Sequence, residues 1–157
     1  MKHYNLLFLA LIFILSACST TPKDHARVFS VQGKYEDVWD DVKNALIDRG
    51  LVVNNISYIS KMLDRTGKDL GYKKRVYLNA HLLEFCSASV SRKTMEADPN
   101  NIVYCPYIIS VYETTREPGK IYVAYRHVTP TGSAESRKAL KALGELVGGI
   151  VKDGVGQ

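Results

Sequence analysis

Ile102-Val103-Tyr104-Cys105-Pro106-Tyr107-Ile108-Ile109-Ser110-Val111-Tyr112 is the strongest strand candidate in the chain. Side chains alternate between the faces of a strand, so Cys105, Tyr107, Ile109 and Val111 share one face. Tyr104, Ile108 and Tyr112 fall on the other. Glu117-Pro118-Gly119-Lys120 carries turn chemistry, and Ile121 to Val128 returns as a hairpin partner. The aromatic residues of this hairpin suit a pleated surface half in contact with something apolar. The ordinary occupant of such a surface is the protein's own helices or a second copy.

Upstream of the hairpin, strands and helices alternate. Arg27 to Gln32 suits a strand, and Tyr35 to Arg49 a helix with Val38, Trp39, Val42, Ala45 and Leu46 on one face. Glu36 and Asp37 favour its first turn, and Gly50 suits a left-handed C-terminal cap. Trp39, the only Trp, is expected to pack in the core. Leu51 to Ile56 is a second strand. Ile59, Met62, Leu63, Thr66 and Leu70 make a second helical stripe, ended near Gly71. Lys73-Lys74-Arg75 is most simply a solvated strand entrance. Val76 to Phe85 is a third strand, and Ser87 to Ala97 a short helix stopped by Asp98-Pro99. Ala134 to Lys152 is a last helix with Leu140, Leu143, Leu146, Val147 and Ile150 on its apolar side, although Gly148-Gly149 disfavours its final turn. The expected fold is α+β: a single sheet of about five strands with helices packed mainly on one face.

The N-terminus carries a separate signal. Lys2 precedes an apolar run, Leu6 to Leu15, which is shorter than the roughly 20 residues a membrane-spanning helix needs. It has the length of a signal-peptide core and ends in Leu15-Ser16-Ala17-Cys18. These four residues resemble the lipobox of bacterial lipoproteins. The resemblance implies removal of residues 1–17 as a signal peptide and lipidation of Cys18. Residues 18–27 then form a lipidated, flexible tether containing Pro22, and residues 28–153 form the domain. The expected location is the cell envelope, with the membrane as partner through the lipid. Ser19, in place of Asp, favours the periplasmic face of the outer membrane over the inner membrane. The remaining length suffices for a single core.

The chain has a formal net charge of +5 and a pI near 9.1. Loss of Lys2 on cleavage lowers that charge by one. On an exported lipoprotein, such a surface suits anionic head groups or cell-wall polymers, and nucleic acid is not an expected partner. No phosphate-binding Gly-rich loop, Gly-x-Ser-x-Gly elbow or carboxylate pair stands out. An enzyme is therefore not favoured, and no cofactor is expected. Cys86, Cys105, His81 and His127 lack close ligand spacing, so no metal is expected either.

Four further groups of residues carry a family likeness. Glu84-Phe85-Cys86-Ser87-Ala88, Met95-Glu96-Ala97-Asp98-Pro99 and Tyr104-Cys105-Pro106-Tyr107, with Val111-Tyr112-Glu113, resemble the domain-of-unknown-function 302 family. The likeness covers roughly Val28 to Val151. It implies a small α+β domain, often a homodimer, with no established activity. The family pattern has a Cys at the start of the third helix, matched by Cys86, and a Pro-Cys pair in the next strand. Here Tyr107 follows Pro106, and the thiol sits at Cys105.

Cys86 and Cys105 are the candidate thiols. An exported protein with two thiols besides the lipidated one invites a disulfide. Cys86 precedes a helix, whose backbone N–H groups favour thiolate; the alternative is a buried, inert thiol. Short β–helix–β crossovers usually give parallel strands, which would hold the two cysteines far beyond the ~7 Å Cα limit of a disulfide. Antiparallel strands would let them meet. The expectation is against a bridge, with Cys86 the more reactive thiol. Tyr107, Tyr125 and His127 are the candidate ligand face. The favoured function is a small-ligand or protein-binding envelope module. The alternatives are a thiol-dependent redox or sulfur-handling protein using Cys86, and a structural envelope lipoprotein.

Overall fold

The structure, a computed structural model, describes residues 25–157. The expected signal peptide, Cys18 and most of the expected tether lie outside the described residues. The elements run β1 (Ala26–Gln32), α1 (Tyr35–Ile47), β2 (Val53–Tyr58), α2 (Ile59–Asp69), β3 (Tyr77–Phe85) and α3 (Ala88–Ala97). A 3-10 segment (Pro99–Tyr104), β4 (Tyr107–Thr114), β5 (Lys120–Arg126) and α4 (Ala134–Gly154) complete the chain. β1 begins at Ala26, one residue before the expected strand start at Arg27 and inside the expected tether; Ala26 and Arg27 pair with Arg126 and Tyr125.

The five strands form one sheet in the order β1-β5-β4-β3-β2, and every neighbouring pair is antiparallel. This is the expected α+β architecture. The core lies on one face of the sheet. Leu83, Phe85, Ile109, Val111, Ile121 and Val123 are fully buried there, against Val42 and Leu46 of α1 and Leu140, Leu143 and Ile150 of α4. The stripes of α1 and α4 therefore do what their periodicity predicts. The two helices approach closely because Gly154 has no side chain; a Cβ there would stand 2.8 Å from Val42. Gly50 takes φ +69° at the end of α1, as a left-handed cap requires.

Three local expectations need correction. The strand drawn over Ile102 to Tyr112 begins only at Tyr107. Asp98 Oδ1 accepts a hydrogen bond from the Asn100 amide at 2.9 Å, and Pro99 opens a 3-10 segment that takes up Ile102, Val103 and Tyr104. Local capping thus outweighs the strand preference of an apolar run, and Ile102 and Val103 are exposed. Cys105 precedes β4 and does not share its face alternation; the Cys105–Pro106 peptide is cis.

The second correction is α2. The helix forms, but Ser60 is its only buried residue, and Leu70, just past its end, is 69% exposed. It lies along β3 and adds little core. The third is Trp39, which has the predicted phase yet is half-buried at the margin of the core.

Candidate functional site

Three clusters bring polar or reactive side chains together. The first is the thiol corner. Phe85, the last residue of β3, pairs in register with Tyr107, the first of β4. Cys86 and Cys105 flank this pair, so the antiparallel register brings them to the same end of the sheet. Their Sγ atoms lie 2.7 Å apart, and both residues are half-buried. The expectation of parallel strands and separated thiols is overturned. Asp98-Pro99 folds the 3-10 segment back against α3, and buried Asn101 fastens the fold-back. Its Nδ2 donates to the Thr94 carbonyl at 2.9 Å and to Ser136 Oγ at 3.1 Å. The chain thereby returns to the end of the sheet that it left.

The position of Cys86 does not favour thiolate. Burial, followed by the hydrogen bond and charge of Cys105, pushes the Cys86 thiol up to about 11. Ser87, not Cys86, caps α3, with its Oγ accepting from the Val90 amide. Beside the thiols, the Ser91 and Tyr107 hydroxyls share a hydrogen bond of 2.7 Å. Burial raises the Tyr107 pKa despite that bond, so the phenol stays protonated at neutral pH.

The second cluster is a pair of cavities that share Tyr125 and Val128 in their walls. A cavity of about 330 Å³ is lined by Leu82, Tyr104, Tyr107, Ile108, Tyr125 and Arg126, among others. Its described lining includes His25 and no carboxylate. Its neighbour is lined by Arg27, Tyr125, His127, Lys141 and Lys152, with Glu145. The three residues of the expected ligand face are thus distributed: Tyr107 in the first cavity, His127 in the second, and Tyr125 in both. Tyr125 is held by close packing on α4. A Cβ at Gly148 would meet its hydroxyl at 2.8 Å, which accounts for a glycine inside that helix.

The third cluster was not foreseen. The His81 ring meets Tyr35, Trp39 and Tyr58 edge-on, with centroid distances of 5.4, 5.0 and 4.8 Å. Its Nδ1 is buried and has no hydrogen-bond partner. Burial, then the charge of Lys61, lowers its pKa. Tyr35 and Trp39 lie four residues apart on α1, a visible pairing, but Tyr58 and His81 meet only through the β2–β3 register. Ser91 was missed although it lies one helical turn beyond Ser87. Arg126 was missed because its role depends on the end of a hairpin. Of the four residues weighed as metal ligands, the structure brings together only Cys86 and Cys105. No three His, Cys, Asp or Glu converge among the described residues.

The family described as Domain of unknown function DUF302 matches residues 28–151. The fold is also similar to a crystal structure of an uncharacterized conserved protein DUF302 from Bacillus stearothermophilus. That likeness has a TM-score of 0.66 at 12% sequence identity, covering 82% of this chain and 97% of the other. No curated protein matches the chain.

Proposed function

The chain belongs to the DUF302 family, and from that premise we propose that it is a lipid-anchored envelope module that binds a small amphipathic anion. The observation carrying this reading is the cavity of about 330 Å³ at the Tyr107–Tyr125 end of the sheet. Its size falls in the range of small-molecule sites, with apolar walls and a few convergent polar groups. Leu82, Ile108, Leu143 and Val147 suit an apolar body. Arg126 and His25 suit an acidic head, and the protonated Tyr107 and Tyr125 hydroxyls can donate to it. His25 also lies seven residues beyond Cys18, a span of at most ~25 Å when fully extended. An acylated Cys18 would therefore keep this cavity close to a supply of amphiphiles.

A role in thiol turnover fits less well, because Cys86 is held up to about 11 and is largely protonated at neutral pH.

The test is native mass spectrometry of the chain extracted from membranes, with dodecanoate as the probe. One dodecanoate per chain is expected. Ser110→Trp, which fills the cavity, should lower the bound fraction at least tenfold while the thermal midpoint stays near that of the parent. No adduct, or one indifferent to the filling, would remove the ligand-binding reading. Cys18→Ala should abolish both the added lipid mass and membrane retention; an unchanged mass and retention would remove the anchor.

A further inference from the structure

We propose that Cys86 and Cys105 form an intramolecular disulfide that reversibly clamps the neck of the α3–3-10 excursion. Residues 87–104 leave the sheet after β3 and return to it before β4. The neck of this excursion is the Phe85–Tyr107 pair, and the two thiols stand beside it. Their Sγ separation of 2.7 Å is shorter than the ~3.5–4.0 Å at which non-bonded heavy atoms come to rest. Bond formation therefore needs the two sulfurs to close by only about 0.7 Å. Both residues are half-exposed, so an oxidant can reach them. The cross-link spans nineteen positions, and it fixes the segment that sends Tyr104, Pro106 and Tyr107 into the cavity wall.

The oxidant is another disulfide, of a small molecule or of a protein. One cysteine thiolate attacks it, forming a mixed disulfide and expelling one thiolate. The second cysteine thiolate then attacks the chain's sulfur in the mixed disulfide and expels the other thiolate. One disulfide is reduced, one is formed, and the two protons lost by Cys86 and Cys105 end on the two leaving thiols. The raised Cys86 pKa leaves that thiol largely protonated at neutral pH and slows its attack. This behaviour suits a clamp set during maturation rather than a thiol that turns over. The inference rests on the β3–β4 geometry alone and does not require the ligand cavity or the lipid.

The test uses the purified full chain, equilibrated with oxidised glutathione, acid-quenched, alkylated in denaturant and digested with trypsin. Cys86 lies in the peptide 76–92 and Cys105 in 94–116. The expected product is these two peptides joined within one chain, with alkylation of both thiols restored by dithiothreitol. Alkylation of both cysteines after oxidation would overturn the proposal. So would stable glutathione adducts on each, linkage of either cysteine to Cys18, or linkage confined to covalent dimers. In Cys105→Ser, Cys86 should be recovered alkylated or as a glutathione adduct, with no internal link.

Discussion

The two faces of the sheet are built from the same strands and similar residue types, yet they fold into different kinds of surface. On the helix-covered face, Leu83, Phe85, Ile109, Val111, Ile121 and Val123 are completely buried. On the other face, the strand positions bury only Ala80 and Ala124, while Val28 is 52% exposed. Tyr112 stacks on Tyr122 and meets Tyr77 edge-on, so those rings shelter one another. Apolar alternation therefore tells which residues share a face; it does not tell which face receives the helices. Stability should reside on the covered face, while the cavity at the sheet end draws on both: Leu82, Ile108 and Ala124 from the open face, Tyr107 and Tyr125 from the covered one.

The sharpest way to break this comparison is to truncate one apolar residue on each face. Phe85→Ala removes a fully buried ring and should cost about 3–5 kcal/mol. Val28→Ala, on the exposed side, should stay within about 0.5 kcal/mol. Denaturant midpoints with unchanged slopes would check both. Comparable losses would mean that the second face also supports the fold.

A smaller effect is expected at the junction that returns the chain to the covered core. Asn101 is buried and bonds across α3 and α4 through one amide nitrogen. Asn101→Ala leaves the Thr94 carbonyl without that donor and should cost about 1–3 kcal/mol. It should also slow Cys86–Cys105 cross-linking, because the fold-back that presents Cys105 loosens. A stability loss with an unchanged cross-linking rate would separate Asn101 from the thiol neck.

The sequence showed the covered face in outline. The alternation of Tyr107, Ile109 and Val111 and the stripes of α1 and α4 are local patterns, and each identifies its buried side without knowledge of the partner. Strand direction is not local. Nothing between Phe85 and Tyr107 announces that the 3-10 segment folds back on α3, so the general preference for parallel crossovers prevailed and the thiols were placed apart. The same limit applies to α2, whose stripe is regular but packs mainly along β3, and to His81, whose ring neighbours come from α1 and β2. The candidate ligand residues were half-legible for a related reason. Tyr107 and Tyr125 stand out as aromatics in paired strands, but the place of Tyr125 in the walls of two cavities depends on its packing over Gly148.

The smallest expected effect lies at the margin of the covered face and is confined to acid. His81 has a lowered pKa because its ring is buried among Tyr35, Trp39 and Tyr58, with the Lys61 charge as a further cause. Lys61 itself lies over the Tyr58 ring, 4.8 Å from its centroid. In the unfolded chain a histidine binds its proton near pH 6.5. The folded protein binds that proton less readily, so below this pH the unfolded state holds more protons than the folded one. Stability is then fully present above about pH 6.5 and declines as the pH falls through the lowered value. Glu36 and Glu113 raise the pKa of Tyr35, which packs on His81, while burial and Lys61 set the direction at His81. His81→Phe keeps an aromatic ring against the same three neighbours and removes both the titration and the unpartnered Nδ1. The variant should match or exceed the parent at pH 7.5 and lose less stability on acidification to pH 5. The measurement is the difference between denaturant midpoints at the two pH values, taken for parent and variant under the same redox conditions. Equal differences in the two proteins would mean that His81 binds its proton equally well in the folded and unfolded states, and would assign the acid sensitivity elsewhere.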